Sequence, residues 1–417
     1  MSDESTQDVL PIDRGIKVTP EDFIVEEIPL YEPSGKGNHT YIAVRKRNLT
    51  TLEAIRRIAR EVGISSRLIG YAGLKDARAV TTQMLSIEGI PPERLLELDL
   101  PGIEVLWAKR HRNKLRVGHL KGNRFELIVR DVSFNAFSEI QHTFEQFKEK
   151  GVPNRFGKQR FGVKGDSHWI GKALLQGDWQ KVLDYFLGHS SHRESERIRN
   201  ARAAFDTGEL QTSYDLFPPH THADERHVLN RLMQLQRKQR VRVSSERACM
   251  AIPKRLRGLF LSAYQAYLFN RVLESRSPDI DRLYKGDLAM KHINGAVFIV
   301  EDACVEQPRA DAFEISPSGP IYGYKMKLPQ GEAGKLEEEI LAEEGLTLES
   351  FRTPYAKLKG TRRSLRMLIE AHRIEIVDVG LRVAFSLPPG GYATVVLDEL
   401  LKGELLEGIL RTCPPLN

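Results

Sequence analysis

The chain has 417 residues, with 62 Lys and Arg against 56 Asp and Glu, which gives a formal net charge of +6 and a pI of about 9.0. Hydrophobic residues make up 41% and charged residues 28%, proportions that exclude a disordered chain and allow two or three domains. No stretch reaches the roughly 20 apolar residues of a membrane span, and the acidic start lacks the layout of a signal peptide. We therefore expect a soluble cytoplasmic protein.

The first 130 residues alternate strand-like and helix-like patterns. A strand-like stretch begins at Phe23, and His39–Lys46 has the β-rich core of a second strand. Thr50 and Glu53 then form a capping-box signature before a helix that should end near Gly63.

A further strand is predicted over Arg124–Val132, where Phe125, Leu127 and Val129 alternate onto one face. Strand, helix and strand joined by short loops favour an α+β fold over a helical bundle.

After Gly162 the pattern becomes mainly helical. Helical periodicity covers Trp169–Phe186 and Leu261–Ser275, whereas short strands are predicted over 281–313. A strand pair follows at Ile374–Leu387. We interpret the helical middle as an insertion into a domain that carries the sheet.

Three basic runs are separated from one acidic helix candidate at 332–349. The second and third runs lie at 231–242 and 357–366. Any one run also fits a solvated face, but their segregation favours a nucleic-acid surface. The first run contains Lys109, Arg110, Arg112, Lys114, Arg116, Lys121 and Arg124.

The stretch GYAGLKDARAVTTQ at 70–83 has the residues of a reactive turn. Gly70 and Gly73 permit a turn, and Lys75 stands directly before Asp76. An aspartate beside cations on such a turn can stay ionised in a partly dry cleft, as a nucleophile or base must. The same letters also fit an ordinary turn aspartate.

The stretch GVPNRFGKQRFG at 151–162 interleaves aromatic and basic residues. Phe156 and Phe161 alternate with Arg155, Lys158 and Arg160, which suits base stacking beside phosphate neutralisation. A glycine-rich loop anchored by two core phenylalanines is the alternative. The cysteines Cys249, Cys304 and Cys413 lie far apart and have no metal-ligand spacing, which argues against a zinc or iron–sulfur site and against disulfides.

Together these segments resemble the TruD family of tRNA pseudouridine synthases. Two motifs, AG-x-KD-x-x-A-V-T-x-Q and GVPN-x-FG-x-QRFG, carry most of the specificity of the match. The matching segments follow the family order and are Lys17 with PEDFIVEE, PSGKGNH, AGLKDARAVTTQ, HRNKLRVGHLKGNRF, GVPNRFGKQRFG, LSAYQAYLFN and LPPGGYAT.

The resemblance implies a pseudouridine-synthase catalytic domain with a mixed, largely antiparallel sheet and flanking helices. It would be formed by 1–179 together with 367–417. An inserted α+β domain at 180–366 would form the other wall of an RNA cleft. We expect a monomer without an obligatory protein partner, because the sequence has no heptad seam.

The resemblance also implies the reaction, which is isomerisation of a uridine of tRNA, with uridine 13 as the expected position. Asp76 would be the catalytic aspartate and nucleophile, with attack at C1′, proton removal at C2′ and addition at C6 all left open. Lys17 and Lys75 would be nearby cations, and Asn154 a polar partner. The uridine would be flipped out of its stack and Phe156 would stack on it.

No metal and no organic cofactor are expected, and the sequence lacks a dinucleotide-binding fingerprint. The RNA phosphates would be bound by Lys109, Arg110, Arg112, Lys114, Arg116, Lys121, Arg155 and Arg160.

Two other classes of function remain open. A non-catalytic RNA-binding protein or RNA chaperone could keep the same fold, although its aspartate motif would be expected to be damaged. A carboxylate-dependent hydrolase would need a second carboxylate, and Glu26 or Glu27 would have to partner Asp76.

Overall fold

The computed structural model describes residues 18–75, 77–130, 134–237 and 244–401. Its contacts divide the chain into two compact units. One, here the helical unit, is Pro153–Arg366; the other, here the sheet unit, comprises the described residues before Pro153 and after Arg366. No helix within these ranges is long and apolar enough to cross a membrane.

The first part of the sheet unit confirms the predicted alternation. Its elements are β1 (Phe23–Pro29), β2 (His39–Arg47), α1 (Thr51–Val62), β3 (Ile69–Tyr71), β4 (Val80–Glu88), α2 (Pro92–Leu96), β5 (Ile103–His111), β6 (Leu120–Arg130) and α3 (Phe134–Lys150).

Local signals set the ends of α1. The Thr50 hydroxyl accepts a hydrogen bond from the Glu53 amide at 3.1 Å, and Gly63 ends the helix at a φ of 74°. The buried face of α1 consists of Ala54, Ile55, Ile58, Ala59 and Val62, while Leu52 is 44% exposed.

The helical unit begins at Pro153, whereas the inserted domain is expected to begin at 180, and the assignment of the units to the two domains stays a prediction. The predicted strand region 281–313 also contains a helix, α11. In chain order, from the boundary strand β7 onward, the elements are β7 (Val152–Pro153), α4 (Ser167–Gln176), α5 (Trp179–Leu187), α6 (Glu196–Asp206), α7 (Leu210–Leu216), α8 (Ala223–Arg237), α9 (Ser244–Cys249), α10 (Lys254–Arg276), β8 (Leu288–Lys291), β9 (Val297–Ile299), α11 (Ala303–Asp311), β10 (Ile315–Ile321), α12 (Gly331–Glu343), β11 (Arg352–Thr353), β12 (Ala356–Lys357), β13 (Thr361–Ser364) and β14 (Arg366–Met367).

The sheet unit closes with β15 (Glu370–Val377), β16 (Gly380–Leu387) and α13 (Ala393–Leu400), which confirms the predicted strand pair. Its eight-stranded sheet has the order β15-β16-β6-β1-β4-β2-β5, with β3 paired to β4. Among the strand pairs of this sheet within the described residues, β1 and β4 run parallel and the others run antiparallel. The fold is therefore α+β with a mixed, largely antiparallel sheet.

The pairing register defines one face of this sheet. Val25 pairs with Thr81 and Phe125, and Thr81 pairs with Lys46, so these four side chains point to the same side. We call it the covered face, because the helices pack there in two clusters. One cluster joins Phe23, Val25, Phe125 and Leu127 to Phe144 of α3 and Val396 of α13; the other joins Ile42, Val44 and Leu85 to Ile55 and Ile58 of α1.

Candidate active site

Two of the predicted site residues, Lys17 and Asp76, lie outside the described residues. The residues on both sides of position 76 are described, so the attachments of the turn can be followed.

A buried pair of polar side chains holds the turn before position 76. The Thr51 hydroxyl accepts a hydrogen bond from the Lys75 amide at 2.8 Å and donates to Gln83 Oε1 at 2.8 Å. The Gln83 amide group in turn donates to the carbonyl of Gly73 at 3.3 Å. Thr51 and Gln83 are both buried, so water competes little for these bonds.

On the other side of position 76, the Asn48 amide donates to the carbonyl of Ala79 at 3.2 Å. The turn is thus attached on one side to the first residue of α1 and on the other side to the residue just after the end of β2.

Lys75 is a buried, ion-paired cation. Its ammonium lies 3.3 Å from Glu27 Oε2 and donates a hydrogen bond to Asn123 Oδ1. The Lys75 side chain is 6% exposed and that of Glu27 is 0% exposed. Glu27 Oε1 also accepts a hydrogen bond from the Met84 amide at 3.2 Å.

Burial raises the pKa of Glu27 above its ordinary value, against the lowering effect of the Lys75 charge and the Met84 amide. Lys75 is therefore an ion-paired cation and not an isolated one. The Glu27 carboxylate on β1 offsets part of its charge.

A second buried lysine lies on the covered face. Lys46 pairs with Thr81 in the sheet, is almost fully buried, and donates a hydrogen bond to the carbonyl of Leu49. Sequence reasoning missed Lys46, Thr51 and Gln83. Strand alternation could have found Lys46, because it stands at a core-facing position where an apolar residue is expected.

Most cations of the first basic run are exposed along β5, its following loop and β6. Arg110 is half-buried, and the Lys114 ammonium donates to the carbonyl of Arg67 at 2.6 Å. The loop is tied to the candidate turn, because the Gly118 amide donates to the carbonyl of Ala72 at 2.9 Å. The exposed members are Lys109, Arg112, Arg116, Lys121 and Arg124.

In the helical unit, Asn154 is held by hydrogen bonds to the segment around β13. Its side-chain amide donates to the carbonyl of Ser364 at 2.9 Å, and its backbone amide to that of Leu365 at 2.8 Å. Arg363 donates to the carbonyl oxygen of Asn154 at 3.2 Å and also to its side-chain oxygen.

The Phe156 ring is fixed within the same unit. Asn270 binds the backbone of Phe156 on both sides, accepting from its amide at 2.8 Å and donating to its carbonyl at 2.9 Å. The Arg363 guanidinium lies 4.3 Å from the ring centroid, and the Phe269 ring meets it edge-on at 5.5 Å. Arg363 is thus a companion of Phe156 that the sequence showed only as part of a basic run.

Two predicted RNA ligands of this unit have protein partners. Arg155 forms an ion pair with Glu274 at 2.6 Å, and Arg160 donates to the Ser262 hydroxyl. Their contact with RNA stays a prediction.

The third basic run is not a continuous RNA surface. Arg362 is buried and binds the Glu337 carboxylate, and Arg366 is buried against the Phe313 ring at 4.2 Å. The interpretation as a nucleic-acid surface is wrong for these two residues, because their guanidinium groups point into the unit. The acidic helix candidate likewise has buried members, Glu337 and Glu344.

The described residues contain no group of three or more His, Cys, Asp or Glu side chains arranged to hold a metal ion.

Comparison with known proteins agrees with the fold. A family model described as tRNA pseudouridine synthase D (TruD) matches residues 5–400. The tRNA pseudouridine synthase D of Geobacter metallireducens is 47% identical over 389 residues, covering 93% of this chain and 95% of that protein. The corresponding protein of Geobacter sulfurreducens is 47% identical over 387 residues, covering 93% of each.

Among solved structures, the crystal structure of a TruD protein from Methanosarcina mazei superposes with a TM-score of 0.80 at 27% identity, covering 94% of each chain. The fold and the sequence matches together define an α+β isomerase of the pseudouridine synthase class. Within that class, the chain belongs to the TruD family.

Proposed function

We propose that this protein isomerises a uridine of tRNA to pseudouridine, with uridine 13 as the target expected from family resemblance. The observation that carries the proposal is the match to the TruD family model over residues 5–400. In the reaction the C1′–N1 bond breaks, the base turns, a C1′–C5 bond forms, the proton on C5 is released and N1 takes up a proton. Atoms balance without any external reactant.

Asp76 is the proposed catalytic residue. Attack at C1′, proton removal at C2′ and addition at C6 all require its carboxylate to be ionised. The hydrogen bonds at Gly73, Lys75 and Ala79 support this role, because they fix the backbone on both sides of it. Lys17 is proposed to favour the ionised form by charge proximity.

Binding of the RNA is proposed to use the exposed cations of the first basic run, so affinity should fall steeply with salt. A stacked uridine hides its C1′ and C5, and flipping it out costs a few kcal/mol. Stacking on Phe156 would recover about 1–3 kcal/mol. Asn154 is proposed to support the site, and the assignment of the two units as catalytic and inserted domains also stays a prediction.

The test is tritium release from transcribed tRNA that carries 5-tritiated uridine. Wild type should release tritium, and Asp76→Asn should be slower by roughly 10³-fold or more while still binding tRNA. Asp99→Asn is the matched control, because Asp99 is exposed on the sheet unit and should behave as wild type.

Two results would contradict the proposal. Tight tRNA binding by wild type without release would favour a non-catalytic RNA-binding protein. Equal release by wild type and Asp76→Asn would leave the isomerase activity in place and exclude Asp76 as its catalytic residue.

A further inference from the structure

Glu27 is a buried carboxylate that the proposed reaction does not use. It follows Phe23 and Val25 at the same spacing on β1, so it lies on the covered face, where core side chains are expected. Its side chain is 0% exposed. A carboxylate at such a position is costly unless its partners compensate it.

The partners of Glu27 connect it to the candidate turn. Lys75, its ion-pair partner, is the residue directly before Asp76, and the same ammonium binds Asn123 on the neighbouring strand β6. The Met84 amide on β4 binds the other carboxylate oxygen. The Glu27–Lys75 pair thus connects the turn to both strands adjacent to β1, to β4 through Glu27 and to β6 through Lys75.

The two oxygens of the Glu27 carboxylate are held differently. One carboxylate oxygen faces the ammonium at 3.3 Å, and this oxygen has no other hydrogen-bond donor among the described residues. An ion pair held in this way in a dry environment acts on a neighbouring carboxylate through both of its charges.

We propose that Glu27 is a positioning residue of the Asp76 site, which holds Lys75 in place and offsets part of its charge at the aspartate. This inference rests on the proposed function of Asp76. It assigns to Glu27 an electrostatic role in addition to a structural one. Burial raises the pKa of Glu27, as expected for a carboxylate held in a dry environment.

Other charged groups near Glu27 are retained in every variant of the test. Lys46 lies on the covered face in β2, and Asp22 pairs with Arg130 at 2.8 Å where β1 begins. Lys17 lies outside the described residues and is unchanged as well.

The test follows the low-pH limb of kcat for tritium release. Glu27→Gln removes the negative charge that offsets Lys75, so the pKa of Asp76 falls and the limb moves down by about 0.5–1 pH unit. Lys75→Met removes the cation directly before the aspartate and should move the limb up by a similar amount. Both variants should lower the plateau kcat by about 10-fold.

The matched control uses an exposed ion pair of the same unit. Glu21 and Arg47 are 2.7 Å apart with both side chains more than half exposed, so Glu21→Gln should leave the limb unchanged. If Glu27→Gln does not fold, Glu27→Asp serves instead, because the shorter side chain moves the carboxylate away from Lys75 and should still move the limb down.

A limb that stays in place in Glu27→Gln, or in Glu27→Asp where the Gln variant does not fold, would overturn the inference and leave a merely structural pair. If Asp76→Asn is inactive, such a result contradicts only the proposed role of Glu27. Activity in Asp76→Asn would instead remove the proposed role of Asp76.

Discussion

Two buried ion pairs, one in each unit, differ in contact geometry. In the helical unit, Arg362 binds both oxygens of Glu337 at 2.7 Å and also donates to the Ser318 hydroxyl at 3.1 Å. In the sheet unit, Lys75 lies 3.3 Å from one oxygen of Glu27 and donates to Asn123, while the Met84 amide donates to the other oxygen. All four side chains are nearly fully buried.

This difference separates a structural pair from one that belongs to a site. A bidentate guanidinium–carboxylate contact with further hydrogen bonds offsets most of the cost of desolvation. A lysine ammonium is a compact point charge and does not bind both carboxylate oxygens at once. The electrostatic field of the Glu27–Lys75 pair can therefore change the pKa of a neighbouring group. We therefore expect the first pair to govern stability and the second to govern activity.

The largest expected effect is on stability, from Arg362→Met. The variant leaves the Glu337 carboxylate buried without its cation, which should lower the free energy of unfolding by about 3–5 kcal/mol in urea denaturation. Adding Glu337→Gln should recover part of the loss. A change under 1 kcal/mol in the single variant would show that the bidentate pair is not a stability determinant.

Thr51→Val should have a smaller effect on stability but a measurable one on activity. The variant keeps the shape of the side chain and removes the hydroxyl that binds the Lys75 amide and Gln83. We expect a loss of about 1–2 kcal/mol in unfolding free energy. We also expect kcat to fall about 10-fold with little change in KM, because the turn is held less firmly.

Thr40→Val is the matched control for that experiment. The Thr40 hydroxyl is also buried in the sheet unit, but it donates to the carbonyl of Ile90, away from the candidate turn. It should lose similar stability and keep kcat. Equal losses of kcat in both variants would mean that stability alone, and not attachment of the turn, limits activity.

The same residues show which features of the structure could be predicted from the sequence and which could not. The ends of α1 and the buried face of β6 follow from signals a few residues long, so they could be predicted. The hydroxyl of Thr51 meets the amide of Lys75, 24 positions later, and Arg362 meets Glu337 across 25 positions. No local pattern specifies such pairings, because they depend on the register of the sheet and on helix packing. The site motif was recognised by family resemblance, whereas its buried supports were not.

The smallest expected effect concerns a buried histidine of the helical unit. His168 stacks on Tyr267 at 4.7 Å, and burial lowers its pKa to about 4, against the raising effect of Asp166 and Glu344. Between pH 6.5 and about 4 the unfolded chain therefore binds a proton that the folded chain does not, and stability falls as the pH falls. His168→Phe should flatten this slope by at most about 1.4 kcal/mol per pH unit, measured by urea denaturation at several pH values.

His227→Phe, at an exposed position on α8, is the matched control. Measuring kcat in the same variants tests whether buried groups of the helical unit affect activity as well as stability. If buried groups of the helical unit act only on stability, His168→Phe changes the pH dependence of unfolding and leaves the low-pH limb of kcat in place. A limb that moves with His168 would contradict the separation, because a group outside the sheet unit would then set the ionisation on which turnover depends.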